Sequence, residues 1–274
     1  MTGEIAMTDV HCHVRWHGMD FEDWIEHFTA IGVDRVWALA WESWWRRQRG
    51  EYEIPTGDVE EAVERHPDFF VPFCMIDPRE ADFDARFDDY VEKGFRGYGE
   101  MKLRLRVDND DCKRVYARCA EVGWPVLFHM DRALKPGGQW YMTNVERLEP
   151  VLNEFPDTTF IGHGPGWWAE ISGDADEALE SYPMGPVTEG GRLPRLLSEY
   201  DNLYADISAG SGYRALTRDP DFGLQFIHDH QDRLLYGTDN YDTQHIDLLR
   251  SLDLPDDVLA KITAGNAERL VPRT

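Results

Sequence analysis

Cysteine, lysine and long apolar runs are all scarce in this chain of 274 residues. The four cysteines have neither zinc-ribbon nor C-x-x-C spacing, so we expect reduced, mostly buried thiols. No stretch approaches the roughly 20 apolar residues of a membrane helix. The first residues also lack a basic and apolar signal sequence. These absences argue against a membrane protein and a disulfide scaffold, and they predict a cytoplasmic protein.

Positive charge is scarce as well, because 28 Lys and Arg face 52 Asp and Glu for a formal net charge of -24. Such a chain repels nucleic acid and anionic membrane surfaces, so we expect neither as a partner. Aspartates crowd the predicted helix surfaces, a composition that halophilic proteins use. A salt-adapted source and an ordinary acidic protein both stay open. The sequence is compatible with a homo-oligomer but does not specify one.

Eight short apolar runs, each bounded by turn residues, predict eight strands. They cover residues 5–13, 35–40, 69–75, 97–103, 125–129, 159–163, 202–207 and 233–239. Helical patterns lie between them. Asp20 can cap one such helix and Gly32 can end it, and Asp58 with Glu61 resembles a capping box at the start of another. The chain therefore alternates strand and helix throughout.

Strands that alternate with helices are expected to pair in parallel, with helices on the outside. Eight such units in 274 residues predict one domain over residues 1–274 with the (β/α)8 fold, a TIM barrel with long active-site loops. An open, doubly wound sheet is the alternative. That fold would predict a glycine-rich phosphate loop after an early strand, and no G-x-G-x-x-G or Walker pattern occurs there.

Two histidines two residues apart, His11 and His13, end the first run. Alternate side chains of a strand share a face, so both could chelate one metal ion. For an isolated His-x-His pair, hydrogen-bonded side chains at a strand end would be the better interpretation. Four further candidate ligands lie in or at the ends of later runs: Glu100, His129, His163 and Asp239. Because the carboxyl ends of all strands open on one face of a barrel, the six predict a metal site there.

This order of polar residues resembles the amidohydrolase superfamily. Four local strings are similar to its amidohydrolase-related branch: D-V-H-C-H at 9–13, F-I-G-H-G at 160–164, Y-G-T-D at 236–239 and G-N-A-E-R-L at 265–270. That branch includes lactonases for pyrone dicarboxylates and decarboxylases for aminocarboxymuconate semialdehyde. The resemblance spans almost the whole chain. It is specific for fold and metal and weak for substrate.

The resemblance implies roles for the candidate ligands. His11, His13, His129 and Asp239 would hold one divalent ion, with Zn2+ as the best candidate and Mn2+, Co2+ or Fe2+ as alternatives. Asp239 would also be the general base that takes a proton from water. His163 would be a second ligand, a substrate polariser or a proton carrier. A structural His163, bonded to a backbone carbonyl, is the alternative.

Glu100 and Lys102 lie two residues apart and so face the same way. The family places either a carboxylated lysine or a glutamate on strand four, where it bridges two metals. Glu100 resembles the bridging glutamate of TatD-type nucleases, although the rest of that motif is absent. A plain ion pair between Glu100 and Lys102 is equally compatible. We therefore expect one metal, with a second as the alternative.

Aromatic and basic residues in the loops after the runs bear on the substrate. Candidate substrate-binding residues are Arg15, Arg46, Lys102, Trp167 and Trp168. Residues 164–191 form a candidate lid, since long loops in compact domains are usually functional. Aromatic walls with arginines suggest a small planar or carboxylate-bearing substrate. Core packing and solvated charge are the simpler alternatives for any one of these side chains.

Three functions remain open from the sequence. The first is a metal-dependent hydrolase that cleaves an amide, lactone or ester-like bond of a small molecule. The second is a metal-dependent decarboxylase or other lyase acting on a small carboxylate. The third is a binding barrel with a degenerate site, which is disfavoured because no ligand position is substituted.

Overall fold

Eight parallel strands form one sheet in which each strand pairs with the next along the chain. The computed structural model describes residues 7–132, 141–143, 145–175, 180 and 182–273. The strands are β1 Met7–Cys12, β2 Val33–Leu39, β3 Phe70–Cys74, β4 Gly97–Met101, β5 Val126–His129, β6 Phe160–His163, β7 Leu203–Asp206 and β8 Leu234–Leu235. All eight coincide with predicted runs.

Hydrogen bonds between the two ends of the sheet bring it into a nearly closed barrel. The Val10 amide donates to the Tyr236 carbonyl at 3.0 Å, and the Asp239 amide donates to the His11 carbonyl at 2.9 Å. The predicted (β/α)8 architecture is therefore confirmed. The eighth run is regular strand only over two residues, and the rest of it follows the barrel as an irregular segment.

Helices connect successive strands and cover the outside of the sheet. Their bounds are α1 Phe21–Ala30, α2 Trp44–Arg49, α3 Thr56–Arg65, α4 Phe83–Glu92, α5 Asp110–Val122, α6 Leu148–Glu154, α7 Pro165–Ala169, α8 Arg192–Glu199, α9 Ala209–Thr217, α10 Pro220–His230, α11 Gln244–Ser251, α12 Asp256–Ala260 and α13 Asn266–Leu270. Short 3-10 turns lie at Trp16–Gly18 and Val145–Arg147, and a π-helical turn lies at Lys261–Gly265. Within the described residues, no helix is both long enough and apolar enough to cross a membrane.

The predicted helix starts have mixed outcomes. Asp20 caps α1 as expected, because its carboxylate accepts from the Asp23 amide while the Asp23 side chain accepts from the Asp20 amide. The capping box at Asp58 is wrong. Helix α3 begins at Thr56, directly after Pro55. Asp58 therefore lies within the first turn of the helix and does not cap it. The fixed φ of proline suits the position before this helix and sets its start.

The strands pack two apolar layers, one on each face of the sheet. One cluster, with Trp37, Phe73 and Leu127 among its members, lies inside the barrel, and the Trp37 and Phe73 rings stack there at 4.7 Å. A larger cluster lies between the sheet and the helices and contains all four cysteines, which are buried and free. Because side chains alternate along a strand, the inward face of Leu127 continues into His129. At the carboxyl end of the barrel, polar residues therefore occupy the interior.

Asn266 ties the last helix to the end of β8. Its buried side-chain amide donates to the carbonyls of Gln231 and Leu234, both at 2.7 Å. The contact with the Leu234 carbonyl is buried and that with the Gln231 carbonyl is partly buried, so the amide supplies a donor where solvent is restricted. The contact holds the strand that leads into Asp239.

We predict that Asn266→Ala lowers the free energy of unfolding by about 2–4 kcal/mol, because one buried and one partly buried carbonyl lose their donor. Asn153→Ala is the matched control, since the exposed Asn153 also makes two hydrogen bonds through its amide. Chemical denaturation of the three proteins measures the difference. A loss for Asn266→Ala no larger than that of the control would contradict the assignment.

Candidate functional site

The six predicted ligands all lie at the carboxyl end of the barrel. His11 is in β1 and His13 follows that strand, Glu100 is in β4, and His129 and His163 end β5 and β6. Asp239 lies in the segment after β8. Most of these side chains are fully buried, but those of His129 and Asp239 are 12% and 14% exposed. The group is therefore an interior cluster in which His129 and Asp239 are the members partly accessible to solvent.

Asp239 lies among three imidazole nitrogens. Its Oδ1 is 3.4 Å from His11 Nε2 and 3.6 Å from His13 Nε2, and its Oδ2 is 3.6 Å from His163 Nε2. The backbone of Asp239 has φ of 51°, a left-handed conformation that is costly for a residue with a side chain. Its hydrogen bond to the His11 carbonyl holds it there. The result is a carboxylate aimed at the imidazole nitrogens.

Glu100 is the second carboxylate of the cluster, and it also faces three histidines. Its Oε2 is 3.3 Å from His13 Nε2, and its Oε1 is 2.7 Å from His129 Nδ1 and 3.9 Å from His163 Nε2. Lys102 Nζ lies 3.8 Å from Oε2. The predicted ion pair between Glu100 and Lys102 is therefore present, and Glu100 faces the histidines at the same time.

Acceptors behind the cluster fix the orientation of three histidine rings. Asp206 Oδ2 is 2.6 Å from His11 Nδ1 and 3.1 Å from His163 Nδ1, and the Leu39 carbonyl is 3.0 Å from His13 Nδ1. A ring whose Nδ1 donates to an acceptor carries no proton on Nε2 when it is neutral. The three Nε2 lone pairs are thereby turned towards the centre of the cluster, as in metal sites supported by an outer carboxylate.

His129 is oriented differently from the other three histidines. Its Nδ1 faces Glu100, while its Nε2 lies 3.2 Å from Asp131 Oδ1, on the side of the mouth. Among the described residues, two groups have ligand atoms within 4.8 Å of one another: His11, His13 and Asp239, and His11, Glu100 and His163. His129 belongs to neither group. Its role as a ligand stays a prediction.

Several polar atoms in the cluster have no hydrogen-bond partner among the described residues. They are His163 Nε2, Glu100 Oε2 and Asp239 Oδ1, all buried. Leaving such atoms unsatisfied costs about 1–3 kcal/mol each, so native proteins usually supply a partner. Imidazole nitrogens and carboxylate oxygens are also the ligands that zinc and similar divalent ions use. The residues present therefore fit a divalent cation.

The charge states of the cluster point the same way. Burial lowers the pKa of His11 to about 4, so the ring is neutral near pH 7 and able to bind a metal. Burial, followed by the charge of Glu100, raises the pKa of Asp239 well above its usual range. Burial also acts against ionisation of Glu100, but Lys102 and His129 hold its pKa well below its usual range. The cluster thus concentrates carboxylates that a cation would stabilise.

Cations and aromatic rings line one wall of the mouth beside Glu100. Lys102 Nζ lies 3.9 Å from the centre of the Trp41 ring, and the Arg104 guanidinium lies 3.6 Å from that of Trp45. Arg46 is buried in the same wall. Its Nη2 donates to the Tyr141 hydroxyl at 2.7 Å, and its guanidinium lies over the Trp41 ring. The wall is suited to a flat, negatively charged ligand.

The structure does not bring Arg15, Trp167 or Trp168 to the histidines. Arg15 pairs with Glu61 at 2.5 Å. Trp167 is fully buried in the core against Gly162, and Trp168 Nε1 donates to the Asp206 carbonyl at 3.0 Å. Each has a structural contact, and substrate binding by any of them stays a prediction.

The candidate lid, residues 164–191, is only partly within the described chain. Its first part forms α7, whose tryptophans support the barrel. Residues 176–179 and 181 lie outside the described residues. Tyr182 and Met184, further along, are exposed to solvent. Closure of this segment over the mouth stays a prediction.

Sequence reasoning missed Asp206, Asp131 and Arg104. Asp206 could have been found, because it lies near the end of the seventh apolar run and ends β7, as His129 and His163 end β5 and β6. Asp131 and Arg104 carry no comparable signal. Both lie in loops beyond their strands, and only the folded chain shows that one faces His129 and the other covers Trp45.

A family model described as Amidohydrolase matches residues 8–273, nearly the whole chain. The chain belongs to the amidohydrolase family. This membership confirms the resemblance seen in the sequence and indicates an enzyme. No curated protein gives a match to the chain.

Several solved structures have the same fold as this amidohydrolase. An uncharacterized TIM-barrel protein from Bordetella bronchiseptica is similar over 98% of this chain and 99% of its own, with 20% identity and a TM-score of 0.71. A probable 2-pyrone-4,6-dicarboxylic acid hydrolase from Acinetobacter baumannii, with citric acid bound, has 13% identity, a TM-score of 0.59 and coverage of 96% and 98%. The 5-carboxyvanillate decarboxylase from Sphingomonas paucimobilis has 12% identity, a TM-score of 0.58 and coverage of 98% and 100%. At these identities the likeness shows the fold alone.

Asp9 lies directly behind the cluster and is fully buried. Its Oδ1 accepts from the amides of His11, at 2.8 Å, and Thr238, at 3.3 Å. Burial raises the pKa of this carboxyl from 3.8 to about 8. The folded chain therefore holds a proton that the unfolded chain releases at lower pH. Stability from this group is lost progressively as the pH rises from 3.8 towards about 8.

We predict that Asp9→Asn removes this loss in metal-free protein, because an amide cannot ionise. Relative to wild type, the free energy of unfolding of the variant should increase by at least about 2 kcal/mol from about pH 5 to about pH 8. Urea unfolding across this pH range measures the difference, with the surface change Asp157→Asn as the control. A constant difference between Asp9→Asn and wild type would refute the prediction.

Proposed function

We propose that this amidohydrolase is a metal-dependent hydrolase that cleaves an amide, lactone or ester-like bond of a small molecule. The observation that carries the proposal is the convergence of His11 Nε2 and His13 Nε2 on Asp239 Oδ1, at 3.4 and 3.6 Å. Two imidazoles and one carboxylate of this kind suit a catalytic divalent ion.

The residues that would hold the ion are His11, His13 and Asp239, with His163 or His129 as a further ligand. Zn2+ suits this mixed nitrogen and oxygen set best, and Mn2+, Co2+ or Fe2+ could bind the same residues. When bound, the ion supplies a Lewis acid that lowers the pKa of water and polarises a carbonyl. Glu100 faces the same histidines, so a second ion between Glu100 and His163 is the alternative.

Asp239 would act as the general base and then as the acid. Its exposed fraction of 14% makes it the carboxylate of the cluster that can meet a substrate at the mouth. It would take a proton from the attacking water and return it to the leaving oxygen or nitrogen. His163 lies 3.6 Å from Asp239 Oδ2, and Asp206 keeps its Nε2 facing inwards. His163 would orient the substrate carbonyl or exchange the proton with Asp239.

The wall of cations and rings supports a substrate that carries a carboxylate. The Nε atoms of Arg46 and Arg104 are buried and have no hydrogen-bond partner among the described residues. A substrate carboxylate could satisfy them, while Trp41 and Trp45 contact a planar body. The pyrone dicarboxylate named for the Acinetobacter baumannii protein and its bound citric acid are ligands of this chemical kind. We therefore propose a planar carboxylate as the substrate class.

Decarboxylation by the same cluster is the second candidate. The structures of similar fold include the 5-carboxyvanillate decarboxylase and a 2,6-dihydroxybenzoate decarboxylase from Rhizobium. In such a reaction the cationic wall would orient the carboxylate that leaves as CO2, and Asp239 or His163 would supply a proton to the carbon. Hydrolysis is preferred because Asp239 is positioned to activate water at the mouth.

We predict that purified protein binds about one equivalent of a transition metal and that His11→Ala loses most of it. His228→Ala, a change on the outer helix α10, is the control and should keep the metal. Metal content after dialysis against Zn2+, measured by mass spectrometry, compares the three proteins. Equal metal content in His11→Ala and wild type would argue against a site built on this residue.

We predict that turnover in 18O-labelled water places one labelled oxygen in the product and releases no CO2. The substrate should emerge from a screen of lactones, N-acyl compounds and aromatic carboxylates. Asp239→Asn should reduce kcat by about 100- to 10,000-fold, because the general base is lost, whereas Asp221→Asn on the surface should leave it unchanged. Stoichiometric CO2 without labelled product would favour the decarboxylase instead.

A further inference from the structure

Most arginines and lysines of the described chain have a carboxylate within 4.0 Å, as the excess of acidic residues leads one to expect. Arginines without such a partner are therefore exceptions. Two of them, Arg46 and Arg104, lie at the mouth. Within the described residues, Arg35 and Arg96 also form no ion pair, and they lie together at the opposite end of the barrel. A second cationic site is therefore separate from the candidate centre.

Arg35 and Arg96 line a cavity of about 500 Å3 at the amino ends of the strands. Arg35 is near the start of β2, and Arg96 precedes β4. Val63 and Phe70 supply apolar parts of the lining, and Asp68 contributes one carboxylate. Cavities that bind small molecules have about this size and mixture of apolar and polar walls.

Backbone carbonyls hold the two guanidinium groups in place, and among the described residues no carboxylate forms an ion pair with either. Arg35 is 6% exposed and donates to the carbonyls of Val271, at 2.7 Å, and Pro272, at 3.2 Å. Arg96 donates to the Pro272 carbonyl at 3.3 Å. Carbonyl dipoles orient an arginine but leave its net charge. Burial, followed by the charges of Arg273 and Arg96, lowers the pKa of Arg35, so the surroundings disfavour its charge.

Arg273 completes the cationic side of the cavity, but its own charge is compensated. Arg273 forms a bidentate ion pair with Asp34, at 2.9 and 3.0 Å, and a hydrogen bond to the Glu268 carboxylate at 2.6 Å. Of the three arginines that line the cavity, Arg35 and Arg96 are therefore the two without an ion pair among the described residues. Asp68 offsets part of their charge, which favours an incoming group with one negative charge over a polyanion.

We propose that this cavity binds a small organic anion with a single carboxylate. The carboxylate would pair with Arg96 and Arg35, and Val63 and Phe70 would contact the apolar body of the ligand. Binding there is independent of the hydrolytic centre, because the two sites occupy opposite ends of the barrel.

The test is calorimetric titration of the intact protein with benzoate at fixed ionic strength. Two classes of benzoate site are expected, one at the mouth and one in the cavity. Arg96→Gln should weaken one class at least about tenfold, and Arg104→Gln should leave that same class unchanged. Arg250→Gln is the matched control, because the exposed Arg250 also lacks an ion pair and donates only to a carbonyl. It should change neither class.

Two further measurements test the cavity without the Arg96→Gln variant. Asp68→Asn should tighten the cavity class about two- to fivefold, because an opposing charge is removed. Inorganic phosphate should bind the cavity more weakly than benzoate, since it lacks an apolar body. Equal benzoate affinity in wild type, Arg96→Gln and Asp68→Asn would overturn the proposal. Tighter binding of phosphate than of benzoate would overturn the organic part of it.

Discussion

The site depends on one buried carboxylate, Asp206, which contacts two histidines at once. Its Oδ2 lies 2.6 Å from His11 Nδ1 and 3.1 Å from His163 Nδ1, and it also accepts from the Ser208 hydroxyl at 2.8 Å. Although burial opposes its ionisation, the two histidines hold the pKa of Asp206 below its usual range. A permanent carboxylate there decides which nitrogen each ring presents to the centre. Without it, Nδ1 of His11 would lose its carboxylate partner, and Nδ1 of His163 would be left with the Ser208 hydroxyl at 3.0 Å.

The barrel makes this arrangement possible because its strands end in one place. Leu127, Ile161 and Tyr204 fill the interior with apolar side chains, and two residues further on the same faces carry His129, His163 and Asp206. Below this level the interior packs as a core, and at this level it holds charges. The unpaired atoms of Glu100 and Asp239 are costly for stability. Such local conflicts with good packing are typical of functional sites.

The strand order, the barrel and the position of the six candidate ligands at one end of it could be predicted because each rests on a local pattern. Apolar runs of period two and the rule that carboxyl ends share one face need no knowledge of loops. The contacts of Arg15 and Asp131 could not be predicted in this way. Arg15 follows the first strand as a mouth residue would, yet Glu61 in α3 attracts it away. Loop side chains choose partners that are distant in sequence, and a single sequence does not show those choices.

The cysteines and the start of α3 show the same division. The cysteine spacing matches neither a disulfide scaffold nor a metal site and therefore predicted free, mostly buried thiols. All four are free and buried in the structure. Helix α3 begins directly after Pro55, whereas the capping pattern at Asp58 and Glu61 predicted a later start. The sequence does not predict the substrate or the reaction type, because hydrolases and decarboxylases of this fold are both similar to the chain at 12–16% identity.

The inward-facing nitrogens and carboxylates are proposed to form a centre for a divalent ion. Anomalous X-ray diffraction from crystals grown with Zn2+ tests this site most directly. A strong peak is expected within about 2.0–2.2 Å of His11 Nε2, His13 Nε2 and an oxygen of Asp239. A crystal with no peak among these residues, or with zinc bound only by carboxylates on the surface, would contradict it.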